Sequence, residues 1–303
     1  MTKYFCTIFT PAYNRGNLLP RLYDSIVGQT FRDFEWIVVD DGSTDNTEEV
    51  MHQFIRENKI PIRYIKVENG GKHRAINRGV AESQGEVFAI VDSDDMLVPC
   101  AIEYINLWFS EIESNTDKKF CGVAACKGYN EKEVIGQTFE GEWIDATNIE
   151  RKKYNILGDK FEIYYTDVMK QYPFPVYEGE RFMSEIVVWT RMAKDGFYIR
   201  WHQDILYLCN YLEGGLTANN YKLLANNPKG YALRIREQVQ YAKLSLKEKL
   251  GYYSNYFFLR RKKESFREMC EHTNACWLEM SLAVVLRVCL MIWRRNFNEY
   301  KEV

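Results

Sequence analysis

The sequence predicts an α/β protein, a mostly parallel sheet flanked by helices and followed by a helical C-terminal region. Three observations predict it. Over the first 115 residues, short apolar runs alternate with amphipathic stretches four times. Those apolar runs are nearly continuous, the pattern of strands buried on both faces. Beyond residue 220 the runs give way to long helical patterns rich in basic and aromatic residues.

The elements follow in order. "YFCTIF" (4–9) reads as a strand and "LLPRLYDSIVGQ" (18–29) as a helix. "FEWIVVD" (34–40) is a strand dense in β-branched and aromatic residues. "DNTEEVMHQFIREN" (45–58) is a helix, with Asp45 and Glu48 spaced as a capping box. "IRYIKV" (62–67) and "KHRAINRGVAES" (72–83) form the third pair. "VFAIVD" (87–92) and "CAIEYINLWFSEI" (100–112), started by Pro99, form the fourth. In the middle, "FCGVAAC" (120–126) and "FEIYYTDVM" (161–169) read as strands and residues 180–197 as a helix.

Bulk composition narrows the classes of function. At 303 residues, 46% hydrophobic and 15% aromatic, the chain can bury a large core and is not disordered in the main. A net charge of −2 gives no whole-chain case for nucleic-acid binding. The charge is unevenly spread: residues 228–303 hold 15 Lys/Arg against 8 Asp/Glu, and the remainder 25 against 34. The eight cysteines form no C-x-x-C pair, which fits buried thiols in a reducing compartment. The N-terminus lacks a signal-peptide pattern and no stretch reaches the roughly 18 apolar residues of a spanning helix, so a cytoplasmic protein is expected.

In open α/β sheets, ligands bind beyond the carboxyl ends of the strands. Three of the predicted ends carry chemistry: "TPAYNR" after the first strand, "DDGSTD" after the second and "DSDD" after the fourth. Asp92, Asp94 and Asp95 repel one another and need a positive partner. An isolated D-x-D is also an ordinary polar turn, but carboxylates gathered there suit Mg²⁺ or Mn²⁺, bound together with substrate phosphates. Asp40 and Asp41 read as acceptors for a ligand N–H or hydroxyl, and Asp45 as a helix cap. "ENGGKHRAINRG" (68–79) joins two glycines to a helix N-terminus with Lys72, Arg74 and Arg78, half of a diphosphate cradle. It is not a Walker A loop, because His73 follows Lys72 where Ser or Thr is required.

"TPAYNR" (10–15), "VVDDGSTDNT" (38–47), "NGGKHRAINRG" (69–79) and "VDSDD" (91–95), in this order, resemble the family 2 glycosyltransferases of the Rossmann-like GT-A fold, of the bacterial polysaccharide and cell-surface glycan type. The resemblance is strong over residues 3–115 and loose over 160–220. It implies a GT-A domain at 1–220, with a nucleotide-sugar half at 1–115 and an acceptor half at 116–220, and a helical, basic appendage at 221–303. It implies an inverting hexosyl or N-acetylhexosaminyl transfer from a nucleotide sugar, most readily a UDP-sugar, to a glycan or lipid-linked acceptor. By position, Pro11, Tyr13 and Arg15 line the nucleotide pocket, Asp41 reads the uracil with Asp40 beside it, and Lys72 and Arg74 face the donor. Asp92, Ser93 and Asp94 match the D-x-D motif, with Asp95 as an alternative metal ligand. The usual A-R-N-x-G stands here as Ala75-Ile76-Asn77-Arg78-Gly79, without its arginine.

Inversion needs a general base for the acceptor hydroxyl. In "FMSEIVVW" (182–189) the family's Glu-Asp pair stands as Ser-Glu, so Glu185 is the implied base, with Glu178 and Glu180 as competitors. "YLEGGLTAN" (211–219) resembles a segment that closes over the donor. The rival readings are a nucleotidyltransferase, which needs a glycine-rich first loop that "TPAYNR" lacks, and a non-catalytic nucleotide-sugar-binding protein. Zinc or Ser-His-Asp chemistry finds no spacing. In the tail, "FFLRRKKESF" (257–266) and the apolar stretch 275–295 fit peripheral contact with the inner face of the cell membrane, a homodimer contact or a packed core helix.

Overall fold

The computed structural model describes residues 3–115, 117–209 and 220–299. Two compact units divide the chain: residues 1–176 with 191–213, and residues 177–190 with 214–303.

The first unit opens with four strand–helix pairs. They are β1 (Tyr4–Ala12) and α1 (Leu19–Val27), β2 (Phe34–Asp40) and α2 (Thr47–Glu57), β3 (Ile62–Lys66) and α3 (Lys72–Glu82), and β4 (Gly85–Ile90), β5 (Met96–Leu97) and α4 (Ala101–Glu113). There follow β6 (Phe120–Asn130), β7 (Glu133–Val134), β8 (Trp143–Ala146), β9 (Lys160–Tyr165), α5 (Thr166–Gln171) and β10 (Tyr198–Leu208), while α6 (Ile186–Lys194) is divided between the two units after Thr190. One sheet runs in the order β3-β2-β1-β4-β9-β6-β10-β5, with β7 on β6 and β8 on β10. It is parallel from β3 to β4 and turns mixed beyond, where β9 pairs antiparallel with both β4 and β6. Parallel pairing is continuous only in the first half; beyond it, β6 and β10 pair parallel while their other neighbours are antiparallel.

Burial explains the pattern. Every residue of β2 is buried, and α1 buries Leu19, Leu22, Tyr23 and Ile26 at helical spacing. The rings of Tyr23 and Phe54 stack at 4.0 Å between centroids, with Trp36 of β2 beneath them, so α1 and α2 share one aromatic anchor on the sheet. β6 and β9 approach so closely that a Cβ on Gly122 would lie 1.9 Å from the Ile163 carbonyl oxygen.

Three expected elements change. The capping box at Asp45 and Glu48 does not form: Asp45 accepts from the Thr47 N–H and the Gly16 N–H, while Glu48 is drawn to Lys66. The strand expected over 161–169 ends at Tyr165, where the Thr166 hydroxyl bonds the Gly85 carbonyl and α5 begins. The helix expected from residue 180 starts only at Ile186. Asn227 accepts the N–H groups of both Arg181 and Phe182, which holds that segment out of a helix.

In the second unit, α7 (Asn220–Asn226), α8 (Pro228–Tyr241), α9 (Leu246–Arg260), α10 (Phe266–Thr273) and α11 (Trp277–Glu299) surround a core of Tyr231, Ile235, Tyr253, Tyr256 and Met280. Ser245 with Glu248, and Ser265 with Glu268, close capping boxes that start α9 and α10. Among the described residues no helix is long and apolar enough to cross a membrane.

Candidate active site

Because β1, β2 and β4 are parallel neighbours, their carboxyl ends open on one edge of the sheet. The register sets Ala12 beside Asp40 and Phe9 beside Ile90. Past the strands, the Asp41 N–H donates to the Ala12 carbonyl and the Val91 N–H to the Phe9 carbonyl, each at 2.8 Å. The three acidic or basic loops foreseen at these ends thus meet.

The first loop is laced to the second. Asn14, at φ 55°, donates its N–H to Ser43 Oγ (2.8 Å), and its side-chain oxygen accepts the Thr44 N–H (2.8 Å). The Arg15 N–H reaches Thr47 Oγ1 at 2.9 Å. This leaves Pro11 and Arg15 half-buried and the Tyr13 ring 48% exposed.

Asp40 and Asp41 differ in what they do. Asp40 is fully buried, and its two oxygens accept from the Ser43 N–H (2.7 Å) and the Tyr64 hydroxyl. It builds the turn. Asp41 accepts the N–H groups of Gly70 (2.7 Å) and Gly71 (2.8 Å), fastening the glycine-rich loop to the second strand end. Gly71 sits at φ 97°, a conformation that an L side chain rarely adopts, and α3 begins at the next residue. The Arg74 side chain lies across Gly70, where an added Cβ would meet its Cδ at 2.5 Å. Arg78 points elsewhere and pairs with Glu82 along the helix at 2.7 Å. Asn77 holds the chain at Phe174 through both its amide and its carbonyl (2.9 and 2.8 Å).

The acidic turn finds its positive partners on the protein. Lys72 Nζ stands 2.8 Å from Asp92 Oδ1. Burial works against the ionised Asp92, but Lys72 and Lys127 outweigh it and its carboxyl titrates below the ordinary range. Burial likewise opposes the charge on Lys127, and Asp92 reverses the effect, so Lys127 titrates above the usual lysine value. Asp95 is buried and accepts the Tyr207 hydroxyl at 2.7 Å. That same oxygen accepts the Asp92 N–H at 3.0 Å, so one fully buried phenol holds both ends of the turn. Lys127 Nζ lies 4.1 Å from the Tyr207 ring centroid. Ser93 is buried, and Asp94 is half-exposed.

Tyr207 and Lys127 were absent from the sequence-based set of site residues. Both lie on strands, β10 and β6, that carry no recognisable motif. The aromatic residues of "YIRWHQDILYL", Tyr198, Trp201 and Tyr207, are the signal that β10 offers.

Among the described residues, no three His, Cys, Asp or Glu side chains are grouped to hold a metal. The donor set fits a sparser mode: Asp92 and Asp94 offer hard carboxylate oxygens on one half-exposed turn, and the Lys72 ammonium already shows that Asp92 takes a cation. Glu185 belongs to the second unit and stands in the turn before α6, its carbonyl accepting the Val188 and Trp189 N–H groups. Its competitor Glu180 is buried and accepts the N–H groups of Lys229 (2.7 Å) and Gly230 (2.9 Å), capping α8. Glu178 is exposed. The segment 211–219, expected to close over a donor, lies outside the described residues.

Comparison with known proteins agrees with this arrangement. Residues 7–118 match the family model "Glycosyl transferase family 2". The chain is 29% identical over 237 residues to glycosyltransferase GlyA of Streptococcus pneumoniae, covering 76% of this chain and 30% of that protein; the chain thus spans under a third of that relative's length. In structure it is similar to S. aureus TarS residues 1–349 in complex with UDP (TM-score 0.60, 20% identity, 94% of this chain and 82% of that one). It is also similar to the mannosyltransferase PcManGT of Pyrobaculum calidifontis in complex with GDP-Man and Mn²⁺ (TM-score 0.55, 15% identity, 95% and 76%). Residues 7–118 thus match the family 2 glycosyltransferase model, and the fold is GT-A-like.

Proposed function

We propose that the chain moves a hexosyl or N-acetylhexosaminyl group from a nucleotide sugar, a UDP-sugar first of all, to a glycan or lipid-linked saccharide of a bacterial surface polysaccharide, with inversion at the anomeric carbon. The observation that carries this reading is the union of three strand-end loops at one sheet edge, with Asp41 clasping Gly70 and Gly71 and Lys72 on Asp92. The TarS complex with UDP and the PcManGT complex with GDP-Man and Mn²⁺ support it through their shared fold. Residues 1–220 serve as the catalytic domain, 1–115 for the donor and 116–220 for the acceptor, on the cytoplasmic side of the membrane; residues 221–303 form the appendage.

Each residue then has a role. Pro11, Tyr13 and Arg15 flank the nucleotide, with Tyr13 offering its exposed ring to the base. Asp41 reads the base, and buried Asp40 holds the turn that presents it. Lys72 and Arg74, at the N-terminus of α3, meet the diphosphate beside Ser93 and stabilise its growing negative charge. Asp92 and Asp94, with Asp95 oriented by Tyr207, would hold a Mn²⁺ or Mg²⁺ ion, which when bound supplies positive charge to the departing diphosphate. Glu185 takes the proton from the acceptor hydroxyl as that oxygen attacks the anomeric carbon.

The experiment is a screen of UDP-sugars for slow hydrolysis and for transfer, with wild type and Glu185→Gln. Wild type hydrolyses one UDP-sugar, and the variant binds it with unchanged affinity but loses transfer by roughly 100-fold or more, the contribution of general-base catalysis. Retained transfer would move the base elsewhere, and donor binding without any turnover would make the chain a binding protein.

A further inference from the structure

Helix α11 packs apolar residues on one side and leaves others exposed on the opposite side. In a surface helix the apolar stripe faces the core and charges face water. Two charged residues of α11, Glu279 and Arg287, are half-buried: Glu279 pairs with Lys249 of α9, and the Arg287 guanidinium lies 5.8 Å from the Phe258 ring centroid. Met280 and Ala283 fill the same packed side. From Met280 to Leu286 the sequence has no charge at all. The outward residues are Trp277, Leu278, Leu282, Val285, Leu286 and Val288, between 39% and 68% exposed. A contiguous apolar stripe of this kind marks an interaction surface.

Charge tells what the surface meets. Lys249 opposite Glu279 and Phe258 opposite Arg287 show that α9 and α11 run in the same direction. The turn that ends α9 therefore lies level with the later part of the stripe, and it carries the exposed Arg261, Lys262 and Lys263. Arg261 stacks on the same Phe258 ring at 4.6 Å, so one aromatic side chain ties this basic turn to α11. Three neighbouring acids are paired with cations, Glu264 with Arg260, Glu271 with Arg267 and Glu279 with Lys249, and Glu268 accepts the Ser265 N–H. A self-complementary contact between two copies needs both signs of charge on the patch, and this one presents a cationic excess. An apolar stripe bordered by cations fits the acyl boundary and phosphates of an anionic bilayer.

We infer that α11 and the 261–263 turn form a docking face for an anionic phospholipid bilayer, lying in its surface rather than crossing it. The inference is independent of the donor site. The test is co-sedimentation of the full chain with phosphatidylglycerol–phosphatidylcholine vesicles and with phosphatidylcholine vesicles alone. Wild type binds the anionic vesicles and is released by added salt. Leu282→Glu with Val285→Glu lowers the vesicle-bound partition roughly tenfold or more, the effect of losing two buried aliphatic side chains. Arg261→Gln with Lys262→Gln lowers it roughly thirtyfold, each basic residue at such a surface contributing about 1 kcal/mol. Both variants occupy exposed positions, so circular dichroism and soluble UDP-sugar turnover stay as in wild type. Equal binding to neutral vesicles, or variants that bind as wild type does, would overturn the inference. A dimer seen by light scattering and dissolved by Leu282→Glu, with no vesicle binding, would assign the face to a second copy instead.

Discussion

Tyr207 shows how much one residue contributes to the acidic turn. Its hydroxyl donates to Asp95 and accepts from the Asp92 N–H while the ring is fully buried. Burial, then Asp92 and Asp95, push its phenol well above the ordinary tyrosine range, so it stays a donor under all working conditions. Tyr207→Phe leaves a carboxylate and an amide without their partner, at a cost of about 1–3 kcal/mol in urea unfolding. It also loosens the turn, so donor hydrolysis falls and more Mn²⁺ is needed for half-maximal rate. Unchanged stability and metal demand would show that the bond is idle. Lys72 is the second residue of this kind: it holds Asp92 at 2.8 Å and offers its charge to a diphosphate. None of the motifs points to Tyr207, because the bond that matters spans more than a hundred residues of chain. The four loop motifs, by contrast, are local stretches of the sequence.

At the scale of elements, legibility follows the simplicity of the hydrophobic pattern. β2 is buried throughout and its boundaries match the sequence-based expectation at both ends. β10 is harder to read because it sets Arg200, His202 and Asp204 between its apolar residues and its register shifts near Trp201 and Ile205. Arg200 is nevertheless buried, its guanidinium held by Asp145 and laid 3.8 Å over Trp143, a compensation that a single strand's pattern does not reveal. The start of α6 was misplaced for a related reason: Glu180 and Asn227 tie residues 180–182 to α8. Two predictions belong here. Glu180→Ala removes the cap from α8 and costs about 1–2 kcal/mol of stability, while transfer, measured under folded conditions, persists; a loss of transfer in a folded variant would make Glu180 the base in place of Glu185. Gly122→Ala forces a methyl into the Ile163 carbonyl, and a thermal-unfolding scan should register more than about 4 kcal/mol of destabilisation or no soluble protein.

Over the whole molecule, buried histidines set the response to acid. Burial, then Arg74, brings His73 down to about 4; burial, then Arg200, brings His202 to about 3, where it stacks on Trp108 at 3.8 Å. Their ordinary value is 6.5, so below it the unfolded chain binds more protons than the folded one. Stability therefore rises with pH in that window and is lost as pH falls from 6.5 towards 4. Between about pH 7 and 5 the loss is roughly 2–4 kcal/mol. Urea unfolding at the two pH values measures it, His202→Gln should flatten the slope, and a flat profile in wild type would contradict the assignment. The same comparison explains why the fold was legible and the site only partly so. Alternating apolar runs determine the parallel half-sheet, and its strand ends gather the loops without further instruction. Which carboxylate turns outward depends on partners such as Tyr207 and Tyr64, which only the folded chain supplies.

The central claim is that this sheet edge binds a nucleoside diphosphate together with a divalent ion. Calorimetric titration of UDP into wild type and Asp94→Ala, with Mn²⁺ and with EDTA, tests it most directly. The account predicts binding to wild type that Mn²⁺ strengthens and EDTA weakens, and a variant in which Mn²⁺ no longer changes the affinity. Equal affinity in Mn²⁺ and EDTA, or an Asp94→Ala variant that responds to Mn²⁺ as wild type does, would contradict it.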